Sequence, residues 1–211
     1  MIKAILWDND GILVDTEHLY FRATRQVLTS VGIILTEEMY VELFLVQGAG
    51  GWHLAEEKGI RPDEVGRLRN ERNKLYLKLV STEARVIDGV EEVLSELHGK
   101  YLMGVVTSSR REHFESIHRS TGLLKFFAFV LTGEDYTKHK PDPEPYLIAI
   151  GKTGFKKEEC IAVEDSERGL ISAAAAGLKC IVIPRGLTRS QQFKGAYKIL
   201  GDIRELPAEL E

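Results

Sequence analysis

The stretch ILWDNDGILVDTE, residues 5–17, places an apolar run directly before two aspartates that flank a single asparagine. Such a run is typical of a strand that is buried on both faces. Asp8 and Asp10 follow where the strand would end, and Gly11 permits a sharp turn after them. The pattern alone leaves three interpretations open: a turn, a metal site, or a nucleophile beside its acid.

Apolar runs further along the chain indicate the fold class. Together with the first run they make five predicted strands: Ala4–Trp7, Leu102–Thr107, Phe127–Thr132, Cys160–Val163 and Cys180–Pro184. Amphipathic helical patterns separate the later strands. Alternating strands and helices predict an α/β fold with a Rossmann-like parallel sheet.

The segment between the first two predicted strands contains only helical patterns. Its first helix places apolar residues at every fourth position, namely Leu19, Ala23, Val27 and Val31. Further helices are predicted over residues 37–46 and 62–80. We therefore expect an all-helical cap domain, residues 16–83, inserted into a core domain of residues 1–15 and 84–211.

Composition and charge exclude several classes of partner. The 211-residue chain has a net charge of −4 and a pI of about 5.9, so we expect no nucleic-acid partner. No apolar run reaches the roughly 18 residues of a membrane span, and none resembles a secretory signal. Cys160 and Cys180 lie in apolar runs, as expected of buried free thiols in a reducing compartment. These features predict a cytoplasmic monomer that acts on a small molecule.

Polar residues follow the carboxyl end of nearly every predicted strand. Beyond Asp8 and Asp10, these residues are Thr107, Ser108, Lys140, Glu164 and Asp165. Each has an ordinary explanation as a turn, a helix cap or a surface lysine. Ligands of open parallel sheets bind beyond these strand ends, however, so their order on successive elements indicates one shared site.

The chemistry of this set is consistent with phosphoryl transfer. Asp8, Asp10 and Asp165 would repel one another unless a cation lies among them, and oxygen ligands favour Mg²⁺. The Thr107 hydroxyl, with the backbone N–H groups of Ser108 and Ser109 at a predicted helix start, would bind an anion. A cation beside an anion site and a carboxylate is the arrangement that phosphoryl transfer requires.

Four segments resemble the signature motifs of the haloacid dehalogenase (HAD) superfamily. They read DNDGILVDTE (residues 8–17), VVTSS (105–109), KPDPEPY (140–146) and VEDSERGLISAAAAG (163–177). The chain is most similar to the subfamily of β-phosphoglucomutases and phosphoglycolate phosphatases, whose members carry a helical cap after the first motif.

The resemblance implies a role for each matching residue. Asp8 would attack phosphorus, and Asp10 would act as acid and then as base. Mg²⁺ would be held by Asp8, the backbone carbonyl of Asp10, Asp165, and Glu164 directly or through water. The phosphoryl oxygens would be bound by Thr107, Ser108 and Lys140, of which Lys140 also fixes Asp8. Asp15 and Thr16 would begin the hinge to the cap.

Three functions remain as alternatives at this stage. Dehalogenases of the superfamily typically lack an acid at the Asp10 position, so its presence favours a phosphatase that acts on a small phosphorylated metabolite. A β-phosphoglucomutase-like mutase would need cations for a second phosphate, yet residues 26–57 contain no Lys or Arg. A phospho-accepting receiver module is disfavoured by the helical insertion and by Asp10.

The cap is expected to determine the substrate. The loop VQGAGGWH, residues 46–53, is the predicted specificity loop, with Gln47, Trp52 and His53 as candidate contacts. The last cap helix is rich in basic residues, which we interpret as a solvated face. Arg72 is the exception, because it falls near the position where a mutase-like cap presents a basic residue to phosphate.

Overall fold

A six-stranded parallel sheet forms the centre of the computed structural model, which describes residues 1–210. From one edge to the other, the strands are β5 (Phe129–Leu131), β4 (Leu102–Val106), β1 (Ala4–Trp7), β6 (Cys160–Glu164), β7 (Lys179–Val182) and β8 (Lys198–Ile199). The predicted α/β fold is confirmed. Glu211, the last residue of the predicted core domain, lies outside the described residues.

Strand β1 lies inside the sheet because its sequence is apolar on both faces. It pairs in parallel with β4 on one side and with β6 on the other. Ile5 and Trp7 belong to one apolar cluster, whereas Ala4 and Leu6 belong to a second cluster on the opposite face. Successive side chains of a strand point to opposite faces, so a strand that is covered on both faces requires apolar residues at every position.

Helices cover both faces of the sheet. Helices α5 (Val90–Leu97) and α6 (Arg111–His118) contribute to the cluster that contains Ile5. Helices α7 (Glu144–Thr153) and α8 (Glu167–Ala175) contribute to the cluster on the other face. The result is a three-layer arrangement, with the carboxyl ends of all six strands at one edge.

The segment between residues 16 and 84 is mainly helical. Its helices are α1 (Glu17–Ser30), α2 (Glu37–Tyr40, which continues as a π-helix over Val41–Val46), α3 (His53–Glu57) and α4 (Pro62–Glu83). Helix α4 has proline at its first position and acidic residues in its first turn, both favourable at a helix start. The segment has an apolar cluster of its own, which includes Phe21, Tyr40 and Trp52.

The chain enters and leaves this helical segment through a two-stranded antiparallel ladder. Strand β2 (Val14–Asp15) pairs with β3 (Arg85–Val86), so the two connections lie side by side. Domain boundaries were predicted near both positions, but the pairing of the two connections was not. The division into a core domain and a cap domain at residues 16 and 83 stays a prediction.

Several elements differ from the sequence-based expectation. Strand β8 was missed because it has only two residues, both exposed, at the sheet edge. Strand β5 is shorter than the predicted Phe127–Thr132. Helix α6 begins at Arg111 and not at Ser108. Within residues 1–210, no helix combines the length and apolar character needed to cross a membrane.

Candidate active site

The buried ammonium group of Lys140 connects three strands at the carboxyl edge of the sheet. Its Nζ donates to Asp8 Oδ1, to Glu164 Oε1 and to the backbone carbonyl of Val106, each at 2.7 Å. Glu164 Oε1 also accepts a hydrogen bond of 2.7 Å from the Tyr146 hydroxyl. The lysine donates all three of its hydrogens, so its position and that of Asp8 are tightly fixed.

Burial and charge act in opposite directions on this group of residues. Burial alone would lower the pKa of Lys140, but Asp8 and Glu164 outweigh it and raise that pKa above its ordinary value, so the ammonium keeps its proton. For Asp8, burial and the nearby Glu164 carboxylate outweigh the attraction of Lys140. They raise its pKa from 3.8 to about 7.

Three carboxylates come close enough together to hold a metal ion. Asp8, Glu164 and Asp165 each offer an oxygen atom, and these atoms lie within 4.8 Å of one another. Burial and the charges of Asp8 and Glu164 raise the pKa of Asp165 well above its usual range. A buried cluster of three acids with one lysine has excess negative charge, and its donors are all oxygen atoms. It therefore fits a hard divalent cation.

Two glycines permit the carboxylates to approach. Gly11 has a φ of +84°, and a Cβ atom there would lie 2.1 Å from Asp165 Oδ2. A Cβ atom at Gly169 of α8 would lie 2.0 Å from the Glu164 carboxyl carbon. Both distances are far below van der Waals contact, so any side chain at these positions would displace a carboxylate.

Asp10 lies beside the triad and is held by hydroxyl groups. Its Oδ2 accepts from Ser109 Oγ at 2.7 Å and from Thr107 Oγ1 at 3.3 Å. Its Oδ1 accepts from the Thr16 hydroxyl. Sequence reasoning missed Ser109 and Thr16 as partners of Asp10, because nothing local distinguishes these hydroxyls from ordinary loop or helix-start residues.

The predicted anion-binding groups are arranged differently from the expectation. The Thr107 hydroxyl donates to Asp10 and accepts from the Ser109 backbone N–H at 3.0 Å, so neither group is open to a ligand here. Ser108 Oγ is buried and has no hydrogen-bond partner within residues 1–210. Because Ser108 lines the adjacent cavity, its hydroxyl is the available donor of this turn.

A cavity of about 520 Å³ separates these residues from the helical segment. The sheet side contributes Asp8, Asp10 and Lys140, and the helical side contributes Tyr20 and Trp52, among others. The helical segment therefore supplies one wall of the cavity that contains the acidic cluster.

The structure brings only some of the predicted cap residues to this cavity. Trp52 and Arg72 line it, whereas Gln47 and His53 do not. The Gln47 side chain is exposed and donates to Glu42 Oε1 at 2.7 Å. His53 is the first residue of α3, so the loop ends one residue earlier than expected. Gln47 and His53 therefore lie away from the cavity in this structure, and a contact between them and the substrate stays a prediction.

Arg72 is the most unusual of the cavity residues. Only 7% of it is exposed, and its guanidinium carbon lies 4.3 Å from the centre of the Tyr20 ring and 5.6 Å from that of Trp52. The Arg72 Nε donates to Asn73 Oδ1 at 2.9 Å, whereas Nη1 is buried without a hydrogen-bond partner among the described residues. Within residues 1–210, no carboxylate forms an ion pair with it. A buried cation with a free donor is well suited to an anionic ligand.

Other cavity residues were also missed. Arg69, Arg110 and Arg168 line the cavity, so the absence of cations from residues 26–57 did not show that the pocket lacks them. His113 lines it as well, and its Nε2 is buried without a partner among the described residues. Glu17 lines the cavity and accepts a hydrogen bond from Tyr40, and burial raises its pKa. These side chains come together only in the folded protein, and no local sequence motif marks them.

Comparison with known proteins places the chain in a family. Residues 5–183 match the profile of the haloacid dehalogenase-like hydrolases, which covers most of the chain. The chain belongs to this family. Hydrolases of this family generally use a divalent metal ion, which agrees with the acidic triad. The predicted family and hydrolase class are confirmed, and the receiver-module alternative is excluded.

Three relatives illustrate the similarity of this haloacid dehalogenase-like hydrolase. It is 31% identical to the provisionally named phosphatase YhcW of Bacillus subtilis, over 100% of this chain and 96% of that protein. It is 30% identical to the phosphorylated carbohydrates phosphatase of Thermotoga maritima, over 85% of this chain and 84% of that protein. A crystal structure of a CbbY variant from Rhodobacter sphaeroides with xylulose-1,5-bisphosphate has a TM-score of 0.81 at 27% identity, and covers 95% of this chain and 94% of that one.

The Gly11→Ala substitution should disrupt the acidic triad. Its methyl group would collide with Asp165, so we expect the affinity for a divalent cation to fall about 10- to 100-fold in calorimetric titrations. Gly59→Ala is the matched control, because Gly59 has a φ of +83° and nothing lies within 4 Å of a Cβ there. Both variants should lose about 1–2 kcal/mol of stability from backbone strain. Equal cation affinity in the two variants would contradict this assignment.

Because the pKa of Asp8 is raised, the stabilisation of the protein by a divalent cation should depend on pH. Between pH 4 and 7 the folded protein retains a proton that the unfolded chain has lost, so in the absence of metal this group makes stability fall as pH rises. A cation requires the ionised carboxylates. It should therefore raise the melting temperature more at pH 8 than at pH 5, as measured by differential scanning calorimetry. Asp8→Asn should reduce the difference between the cation-induced rises in melting temperature at the two pH values. An equal rise at pH 5 and pH 8 in the parent protein would contradict this prediction.

Proposed function

We propose that this protein is a Mg²⁺-dependent phosphatase that hydrolyses a small phosphorylated metabolite through an aspartyl phosphate on Asp8. The observation that carries the proposal is the buried contact between Lys140 and Asp8, with the Asp10 carboxylate beside it. This contact aims one carboxylate into the cavity as a nucleophile and leaves a second carboxylate free for proton transfer.

In the first step, an Asp8 oxygen attacks phosphorus and the bond between phosphorus and the leaving oxygen breaks. The protonated Asp10 gives its proton to that leaving oxygen, so an alcohol departs and Asp10 becomes ionised. Lys140 holds Asp8 in place and offsets part of the negative charge. The Ser108 hydroxyl, which has no partner among the described residues, is available to donate to a phosphoryl oxygen.

In the second step, water hydrolyses the aspartyl phosphate. Asp10 removes a proton from the attacking water, a new phosphorus–oxygen bond forms, and the bond to Asp8 breaks. Inorganic phosphate is released and Asp10 regains the proton that the next cycle needs. The hydroxyls of Thr16, Thr107 and Ser109 orient Asp10 for this exchange.

Mg²⁺ is the cofactor that the donor set supports. Asp8 and Asp165, with Glu164 directly or through water and the backbone carbonyl of Asp10, would hold it. All these donors are oxygen atoms, which Mg²⁺ prefers, and the buried charges need a cation for compensation. When bound, the ion neutralises charge between the nucleophile and the phosphoryl group.

The helical segment is proposed to act as a cap that limits the substrate. Its own apolar cluster and its paired connections support a separate unit, residues 16–83, that covers the sheet edge. Trp52, Tyr20 and Arg72 of this segment face the acidic cluster across the cavity. A cavity of about 520 Å³ is suited to a small molecule.

The substrate is proposed to be a sugar phosphate with a second anionic group. The unpaired, buried guanidinium of Arg72 favours such a ligand. The relatives support the same class, since one is named for phosphorylated carbohydrates and another binds xylulose-1,5-bisphosphate.

A sugar phosphomutase is the second candidate, because the cavity arginines would also suit a bisphosphate. In a mutase the phosphoryl group returns to the sugar, whereas in a phosphatase it passes to water. Incubating β-glucose 1-phosphate with a bisphosphate primer separates the two. Free phosphate without glucose 6-phosphate supports the phosphatase, and glucose 6-phosphate formation supports the mutase.

The two aspartates should differ in how they affect the intermediate. Asp8→Asn should abolish phosphate release and prevent covalent labelling, because the nucleophile is missing. Asp10→Asn should reduce turnover about 10²-fold or more and let the phosphorylated protein accumulate. Acid-quenched intact mass spectrometry after mixing with p-nitrophenyl phosphate measures this difference. Phosphorylation of Asp8→Asn, or full activity in either variant, would exclude these roles.

Arg72→Met should change substrate preference. The variant keeps the apolar stem but loses charge-assisted hydrogen bonds to a second anion. We therefore expect kcat/KM for xylulose-1,5-bisphosphate to fall about 10- to 100-fold. Hydrolysis of p-nitrophenyl phosphate, which has no second anion, should change little. Arg67→Met is the matched control, since Arg67 is exposed on the same helix and pairs with Glu64. Equal losses on both substrates would contradict this role.

A further inference from the structure

His118 and Asn9 form a buried polar pair behind the candidate site. His118 is the last residue of α6 and is 4% exposed, and Asn9 is fully buried between Asp8 and Asp10. The His118 Nε2 and Asn9 Oδ1 atoms lie 2.7 Å apart. Both side chains are buried and polar, so each needs hydrogen-bond partners within the protein.

The hydrogen-bond directions in this pair are determined by its neighbours. Asn9 Oδ1 can only accept a hydrogen bond, so its 2.7 Å contact requires the ring proton on His118 Nε2. Nδ1 is then an acceptor, and the Thr121 hydroxyl, 2.9 Å away, can donate to it. Burial lowers the pKa of His118 to about 4, so the ring is neutral and has only this one N–H. That N–H therefore donates to Asn9 Oδ1.

The orientation of the Asn9 amide then controls what faces Asp10. With Oδ1 bound to His118, Nδ2 lies 3.2 Å from Asp10 Oδ2 and donates to it. The reversed amide would bring its oxygen against the Asp10 carboxylate, which is electrostatically unfavourable, and would set Nδ2 against the Nε2–H. Only one amide orientation satisfies all these groups.

We propose that His118 is a positioning residue, which acts through Asn9 to hold Asp10 where it exchanges protons with the substrate and with water. The proposal rests on the phosphatase function proposed above. None of the four motifs quoted from the sequence includes His118, which lies 109 residues after Asn9 and contacts it only in the folded protein. Without His118 the Asn9 amide would lose its anchor and Asp10 would lose a defined donor.

Four variants test this pathway. His118→Leu removes the ring N–H that donates to Asn9, and His118→Gln restores an N–H donor at a similar distance. Asn9→Leu removes the amide that links His118 to Asp10. The double variant His118→Leu/Asn9→Leu tests whether the two residues act together. Ile117→Val is the control for packing, because Ile117 is buried beside His118 on α6 and makes no contact in this chain of hydrogen bonds. Circular dichroism and thermal melting establish that each variant folds.

The decisive measurement is the fraction of protein that carries phosphate on Asp8 during steady-state turnover of p-nitrophenyl phosphate. Its leaving group departs without a proton, so a poorly placed Asp10 mainly slows hydrolysis of the intermediate. We expect His118→Leu and Asn9→Leu to lower kcat about 10-fold or more, with a smaller change in KM, and to accumulate the phosphorylated form. His118→Gln should recover most of the rate, and the double variant should lose no more than either single one.

Other outcomes would overturn the proposal. These are a His118→Leu protein with the parent kcat, a lower rate without accumulated phosphoprotein, or fully additive losses in the double variant. A parent protein that never becomes phosphorylated would contradict the proposed function instead. In that case long-range ¹H–¹⁵N spectra still decide the contact: a proton on Nε2 of His118 supports it, and a proton on Nδ1 refutes it.

Discussion

The buried ammonium group of Lys140 is the constraint on which the candidate site depends. It is enclosed by Asp8, Glu164 and the Val106 carbonyl, which come from three adjacent strands. A lysine without these partners would not remain charged in such a place, and the acids without the lysine would repel one another. The strand order brings the three elements together, so the sheet topology and the charge balance of the site are inseparable.

Sequence reasoning was most successful where burial was strongest. Five strands were predicted because their residues are apolar on both faces, and all five are present with small shifts at their ends. The missed elements have weak signals: β8 is two exposed residues at an edge, and β2 and β3 are stabilised by each other across a long separation in sequence. Short strands of this kind depend on tertiary contacts and leave no periodic pattern.

In the candidate site, too, residues marked by local motifs were predicted, whereas residues brought together only by the fold were missed. Asp8, Lys140, Glu164 and Asp165 were predicted because each follows a recognisable strand or motif, and the structure brings them together. The partners of Asp10 and the cavity arginines were missed, because they come from elements whose proximity only the fold creates. Cations counted only in residues 26–57 do not represent the cavity, because its arginines come from α4, from the loop after β4 and from the first turn of α8.

The position of β1 inside the sheet has a consequence for how the protein loses activity. Asp8, the proposed nucleophile, directly follows the strand that has neighbours on both edges and helices on both faces. Segments of this kind open only when the whole domain opens, and their amide hydrogens exchange most slowly. Asp8 is therefore anchored to the most durable part of the fold, whereas the part of the helical wall that includes Tyr40, Phe44 and Trp52 belongs to a separate apolar cluster. Local fluctuations of that part of the helical wall will therefore alter the cavity before they displace the Asp8 carboxylate.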